Sequence, residues 1–295
     1  MNTPSFPHFS FIVRGAARFA MQWRLLLLWL AALLIPAALA SFPFWRILAK
    51  SLNNSIYAAE LAQRLDASTF VDLQNAAVAG GLAIVGGGVA GVFLTLLLSP
   101  LLSGAVIAAA KSSERLSFGQ LIRGGITEYG RMLRLLLWAI VPFGIAGGIG
   151  VGAMHLADNY AQKAILESNA DLANHAALLL LILLLFIADA TLDAGRAQFA
   201  VSSKRRSAIL AWWRGLKLVC KKPWTSLGLY FLFSLVGFAL VGMLALVRIN
   251  MPQVNVGGFV AALLITQVMI AVTVWMRGAR LFALVQLAKA NQAAA

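Results

Sequence analysis

Two acidic residues, Asp189 and Asp193, lie one helical turn apart at the end of an otherwise uncharged stretch of the chain. An ionised carboxylate at membrane depth needs a partner charge, water or a proton, and acids in such positions often mark functional sites. Their chemistry suits a gate, a proton site or contact with a polar ligand. A second interpretation stays open, in which both acids lie at the level of the lipid headgroups and end their helix in contact with water.

Polar pairs with the same spacing occur in two other apolar stretches. Ser99 and Ser103 lie 90 residues before the two acids, and Thr273 and Arg277 take the equivalent place in the last apolar stretch. Residues four apart share one face of a helix. The sequence therefore predicts three polar pairs that meet at the mouth of a helix bundle as a gate or ligand-contact ring, with an ion pair between Asp193 and Arg277.

Residue patterns typical of enzymes are scarce. The histidines His8, His155 and His175 include no pair at metal-ligand spacing, and Cys220 is the only cysteine. Gly86–Gly91 matches a dinucleotide-binding pattern, but it lies inside an uncharged run rather than between a strand and a helix. We predict no metal site, no cofactor and no catalytic residue, and an intramembrane enzyme ranks third among the functional hypotheses.

The composition requires a lipid environment for these residues. The chain has 295 residues, of which 61% are hydrophobic and only 12% charged, and its mean hydropathy is +0.85. Because a charge at mid-bilayer costs about 3 kcal/mol, stretches without charge identify membrane spans. Six such stretches predict six transmembrane helices, at 25–45, 73–110, 135–157, 172–188, 223–247 and 249–276.

The basic residues fall on one side of these spans. If the amino terminus is cytoplasmic, the cytoplasmic segments hold 19 of the 24 Lys and Arg residues and the outer segments hold five. This asymmetry predicts a multi-pass protein of the bacterial plasma membrane with both termini in the cytoplasm. It also favours anionic lipids on the cytoplasmic face as partners over nucleic acid, since no basic soluble domain is present. A protein partner stays unidentified.

An Arg-Gly dipeptide precedes alternate spans and indicates an internal repeat. It occurs at 14–15, 123–124 and 214–215, within a basic amphipathic segment each time. We predict pseudo-repeats at 9–110, 117–200 and 207–290 in one membrane domain covering 1–295, with convergence as the alternative. The residues expected to contact lipid headgroups are Arg14, Arg18, Arg123, Arg131, Arg214 and Lys221.

The predicted fold class is all-α: a polytopic membrane helix bundle of three hairpins, each preceded by an amphipathic helix on the cytoplasmic face. The stretch Ser117–Gly124, which leads into a span, resembles bacterial six-span membrane proteins of the YciC type and the membrane domain found beside some glycerophosphodiester phosphodiesterases. The resemblance implies the same six-span architecture. It carries over no catalytic residue and leaves the activity open.

Two functional hypotheses follow from these features. The first is a non-enzymatic membrane protein that transports or shelters a small or amphiphilic substrate, because repeats, glycine-rich spans and an inner polar cluster suit an internal path. The second is a scaffold or regulatory subunit that docks a partner protein or anionic lipid through its basic cytoplasmic collar. A water-accessible cavity at the two acids favours the first, and solid packing there favours the second.

Overall fold

Helices form the whole regular structure of the described chain. The computed structural model describes residues 9–52, 71, 74–75, 78, 80–112, 114–164, 166–201, 207–251 and 256–293. These ranges contain helices and no strand, and six of the helices are long and apolar enough to cross a membrane. The predicted all-helical class is therefore confirmed, and the number of helices long and apolar enough to cross a membrane is the predicted six.

The helices of the described ranges follow one another with short connections. A Ser117 side chain caps the fourth helix and forms a reciprocal capping box with Gln120, and Pro223 occupies the first turn of the eighth. In chain order they are α1 (Phe9–Ala20), α2 (Trp23–Leu52), α3 (Gly81–Lys111), α4 (Phe118–Trp138), α5 (Ile140–Ala161), α6 (Glu167–Val201), α7 (Ala208–Lys221), α8 (Pro223–Ile249) and α9 (Val256–Ala293).

The long helices pack as antiparallel neighbours: α2 against α3, α5 against α6, and α8 against α9. Small residues allow the close approach. A β-carbon added at Gly91 would lie 2.8 Å from the β-carbon of Ala40, and one added at Gly150 would lie 2.3 Å from a methyl group of Leu181. Gly237 approaches α9 in the same way. These contacts explain why glycine is frequent in the spans, since small residues let membrane helices pack backbone to backbone.

The short helices α1 and α7, together with the amino-terminal part of α4, pack on the long helices. α1 contacts α9, α4 contacts α3, and α7 contacts α6. Ile12 and Ala16 of α1 are buried, and the Trp275 indole donates a hydrogen bond to the Ala17 carbonyl oxygen at 3.2 Å. Leu218 of α7 is buried as well. The apolar stripes of these helices therefore serve protein packing in part.

The buried core lies at one end of the molecule. Helices α3, α6 and α9 contact one another, and their carboxyl-terminal halves contribute large buried side chains such as Ile107, Phe199 and Leu284. Near the opposite ends of these helices the apolar side chains are uncovered by protein: Leu82 is 93% exposed and Leu172 is 70% exposed. Each hairpin is thus held to the others mainly at the end that carries the predicted polar pairs.

Candidate functional site

A cavity of about 260 Å³ lies between α2, α3, α6 and α9, at the end of the molecule where the core is concentrated. Five of the six residues predicted to form a gate or ligand-contact ring line it. They are Ser99 and Ser103 of α3, Asp189 and Asp193 of α6, and Arg277 of α9. Three helices converge here, so polar residues that are far apart in the sequence line one cavity.

Thr273 is the predicted residue that does not line this cavity. Its hydroxyl donates a hydrogen bond to the carbonyl oxygen of Met269, one turn earlier in α9, at 2.9 Å. A threonine hydroxyl inside an apolar helix commonly satisfies itself in this way. Thr273 is half-buried, and its hydroxyl already donates this hydrogen bond within α9.

Asp193 is buried among arginines. Only 5% of the residue is exposed, and its Oδ1 accepts a hydrogen bond from Nη1 of Arg196, one turn further along α6. Its second carboxylate oxygen lies 3.9 Å from Nε of Arg280 on α9. Two guanidinium groups therefore compensate one buried carboxylate, as a charge removed from water requires.

Asp189 takes part in a second arm of the same network. The Tyr230 hydroxyl on α8 donates a hydrogen bond to Asp189 Oδ2 and accepts one from Arg280 Nη1 at 2.6 Å. The Arg280 guanidinium carbon lies 4.4 Å from the centre of the Tyr230 ring, and Nη1 is also 3.3 Å from Ser234 Oγ. Arg280 is therefore held rigidly between three helices by ion pairs, hydrogen bonds and a cation–π contact.

The predicted ion pair between Asp193 and Arg277 is wrong. Asp193 pairs with Arg196 and Arg280, and Arg277 forms no ion pair within 4 Å of any carboxylate in the described chain. Arg277 is exposed, although it lines the cavity. Arg277 lies one turn before Arg280 on α9 and contributes a positive charge without a carboxylate partner in the described chain.

The interpretation of both acids as solvated helix ends does not fit Asp193. Helix α6 continues for two turns beyond this residue, to Val201, and Asp193 is buried. Asp189 is different, because 36% of its side chain is exposed at the cavity. Asp193 therefore forms a buried structural ion pair, whereas Asp189 is accessible from the cavity.

Two buried donor atoms at the cavity lack hydrogen-bond partners in the described chain. They are Nε1 of Trp29, which comes from α2, and Nε of Arg280. Trp29 is only 5% exposed. A buried donor without a partner costs about 1–3 kcal/mol, so such atoms need a reason in a native structure.

Four of the six residues predicted at lipid headgroups are exposed on the short helices: Arg14, Arg18, Arg123 and Lys221. Arg214 is half-buried. Arg131 bonds to the buried carboxylate of Glu128 at 2.9 Å, and Lys111 bonds to the same carboxylate at 2.5 Å. Lys111 therefore ties α3 to Glu128 of α4, and Arg131 pairs with the same carboxylate from within α4, a structural contact that its predicted headgroup role did not include.

The residues that line the cavity carry a net positive charge. Asp189 and Asp193 face Arg196, Arg277 and Arg280, which leaves one positive charge in excess. No group of three or more potential metal ligands occurs in the described ranges, and no histidine or cysteine lines the cavity. This arrangement suits electrostatic binding of a negatively charged group.

The sequence reasoning missed four of the residues that shape this site. Arg196 and Arg280 follow Asp193 and Arg277 by three positions, and this spacing could have assigned them to the same helix faces. Trp29 had been interpreted as part of an apolar span, and Tyr230 carries no pattern that points to the acids. Their roles depend on packing between helices that are distant in the chain.

Comparison of the chain with protein-family models, curated proteins and solved structures finds no match.

Proposed function

We propose that this protein is a non-enzymatic integral membrane protein that transports or shelters a small or amphiphilic substrate. The observation that carries the proposal is the cavity between α2, α3, α6 and α9, whose wall combines ionised side chains with apolar ones. Charged groups inside membrane-spanning helices are costly, and they usually line a substrate path. Five residues from three apolar stretches converge on this one space.

We propose that the chain consists of three hairpin repeats, 9–110, 117–200 and 207–290. The packing supports this division, because α4 lies on α3, α7 lies on α6, and α1 lies on α9. Each short helix thus contacts the last helix of the preceding unit, and α1 completes the cycle. Kinship with six-span proteins of the YciC type is part of the same proposal and is supported by the shared layout.

We further propose that α1, the amino-terminal part of α4 and α7 form a collar on the cytoplasmic face of a bacterial inner membrane, with both chain ends on that side. Exposed Arg14, Arg18, Arg123 and Lys221 support the collar, since cations near an anionic leaflet gain about 1 kcal/mol each. The collar is also the feature that favours the second candidate function, a scaffold that docks a partner protein or anionic lipid.

In this proposal the polar side chains of the cavity wall bind a substrate and do not react with it. Thr95, Ser99 and Ser103 are the hydroxyl residues of the cavity wall, and a hydroxyl nucleophile needs an adjacent base. Asp193 is engaged by two arginines and Asp189 by Tyr230, so neither carboxylate is free to serve as that base.

Cysteine labelling tests the proposal. In a Cys220→Ser background, we expect Ser99→Cys to react with a water-soluble thiosulfonate in purified protein and to be protected by co-purifying ligand. Ser226→Cys is the matched control, because Ser226 is 1% exposed on α8 and should stay unreacted. If Ser99→Cys is as inert as the control, and a stoichiometric protein partner co-purifies, the scaffold function replaces the transport proposal.

A further inference from the structure

We propose that the cavity binds an oxyanion, a phosphate or carboxylate group, with Arg277 as its counter-ion and the Trp29 indole as a hydrogen-bond donor. This inference rests on the proposed function, because it names the substrate class of the same cavity. It is carried by three observations: the excess of positive charge, the unpartnered buried donor, and the size and apolar portion of the wall.

The charge balance leaves one arginine for a ligand. Arg196 and Arg280 compensate Asp193, and Arg280 also lies 3.8 Å from Asp189. Arg277 has no carboxylate within 4 Å in the described chain, yet it lines the cavity. A cation among membrane-spanning helices is stabilised by an anion, and guanidinium groups match the geometry of phosphate and carboxylate oxygens.

The cavity wall carries hydrogen-bond donors that need acceptor atoms from a ligand. Trp29 Nε1 is a donor only, and it is buried without a partner in the described chain. Ser99 and Ser103 line the same space and add two hydroxyl groups that can donate hydrogen bonds. An oxyanion offers several acceptor oxygens at once, so it would satisfy Arg277, Trp29 and the serine hydroxyls together.

The volume limits what enters. About 260 Å³ corresponds to the liquid volume of about nine water molecules, which is enough for a phosphate or glycerol-phosphate group and too small for a complete phospholipid. Leu96, Val106 and Leu281 form the apolar part of the wall, and Leu96 is 48% exposed on α3. A headgroup can therefore occupy the cavity while an acyl chain lies along Leu96 toward the lipid.

Binding to the purified full-length chain in a mild non-ionic detergent tests the inference. The probes are inorganic phosphate, dihexanoyl phosphatidic acid and neutral dihexanoylglycerol, followed by native mass spectrometry. We expect phosphatidic acid to bind and dihexanoylglycerol to bind at least tenfold more weakly. Arg277→Gln should weaken phosphatidic acid binding about tenfold and Trp29→Phe about fivefold, as expected for a charged and a neutral hydrogen bond.

Matched variants separate recognition from folding. Arg277→Lys keeps the charge and should retain most of the affinity, and Arg123→Gln removes an exposed arginine outside the cavity and should change nothing. Arg277 is exposed and unpaired, so Arg277→Gln should keep the gel-filtration profile and thermal midpoint of the parent protein. Binding of inorganic phosphate with the same dependence on Arg277 identifies a soluble anion as the ligand. Binding of phosphatidic acid alone identifies a lipid headgroup.

Three results overturn the inference. Equal binding of dihexanoylglycerol and phosphatidic acid, or unchanged binding in Arg277→Gln, shows that the cavity does not recognise an anion, although its sheltering function stands. Absence of binding by every probe has the same meaning if Ser99→Cys is still labelled by the thiosulfonate. If Ser99→Cys is also inert, the proposed function fails together with the inference.

Discussion

Arg280 connects three membrane-spanning helices through its own side chain. It lies on α9, donates to the Tyr230 hydroxyl on α8, and lies within 4 Å of Asp189 and Asp193 on α6. Only 6% of the residue is exposed. Because hydrogen bonds involving charged groups strengthen in a low-dielectric environment, this network fixes the positions of the helices around the cavity.

Loss of the Asp193 carboxylate should destabilise the protein much more than loss of the Asp189 carboxylate. Asp193→Asn leaves Arg196 without its carboxylate partner and Arg280 with Asp189 alone, and breaking a buried ion pair in this way costs about 3–5 kcal/mol. Asp189 is 36% exposed in its side chain, so Asp189→Asn should cost about 1 kcal/mol. Thermal unfolding in one detergent measures both, and equal shifts would contradict the structural role of Asp193.

Spacing in the sequence identified much of the cavity wall, but it did not identify the ion pairs. The i, i+4 pattern was sufficient for Ser99, Ser103 and the two acids because helix periodicity fixes which residues share a face. The partner of Asp193 depends on how α9 is rotated about its own axis. Arg277 and Arg280 are three positions apart, so a small rotation of α9 decides which of the two faces Asp193. No local pattern in the sequence determines that rotation.

The short helices show what an amphipathic pattern determines at the scale of an element. Their helical state followed from the sequence, since basic and apolar residues alternate with the period of a helix. The sequence did not predict what these helices pack against, because an apolar helix face can contact either protein or lipid. Glu128 of α4 is buried despite its charge, because Lys111 of α3 pairs with its carboxylate.

Close backbone contact between α6 and α7 makes Gly215 intolerant of a side chain. A β-carbon at Gly215 would lie 2.5 Å from the backbone nitrogen of Gly195, which cannot move aside as a side chain can. We expect Gly215→Ala to lower stability by about 1–3 kcal/mol through overpacking. Gly147→Ala is the control, because no atom lies within 4 Å of its β-carbon position.

Thermal unfolding of the two glycine variants in the same detergent measures this difference. Gly147→Ala should be neutral or slightly stabilising, since alanine favours a helix by about 1 kcal/mol over glycine. A Gly215→Ala protein as stable as the parent would show that α7 and α6 are less closely packed than described.

At the scale of the whole molecule, the contact of α1 with α9 joins the two ends of the chain. Trp275 and Ala17 form a hydrogen bond across 258 positions of sequence. This contact is expected if both ends of the chain lie on the same side of the membrane, as proposed above. It therefore makes the topology of the chain testable without knowledge of the substrate.

Cysteine accessibility in cells tests that topology. In a Cys220→Ser background, we expect Ser10→Cys and Gln292→Cys to react with a membrane-impermeant maleimide in inverted vesicles and not in intact spheroplasts. Asn169→Cys, at the opposite end of α6, should show the reverse. All three positions are exposed in the structure. Labelling of positions 10 and 292 from opposite faces would refute the six-span arrangement.

Charge-free runs predicted the number of long apolar helices correctly, but not their ends. Helix α6 passes through Asp189, Asp193 and Arg196 to Val201, and α9 extends past Arg277 to Ala293. A scan for uncharged stretches ends at the first charge, whereas the chain stays helical because those charges find partners or open space. The predicted run 73–110 corresponds to α3 from Gly81 onward, and its first residues lie largely outside the described ranges.

Since the large buried side chains gather at one end, the far ends of the three hairpins are free to change tilt separately. A thinner or thicker bilayer changes how much of a long apolar helix is covered, at a cost of a fraction of a kcal/mol per ångström. Tilting of the weakly joined ends would absorb such a mismatch, while Leu192, Phe199 and Leu284 keep the other end in register. The molecule should therefore tolerate membranes of different thickness without disturbing the arginine network.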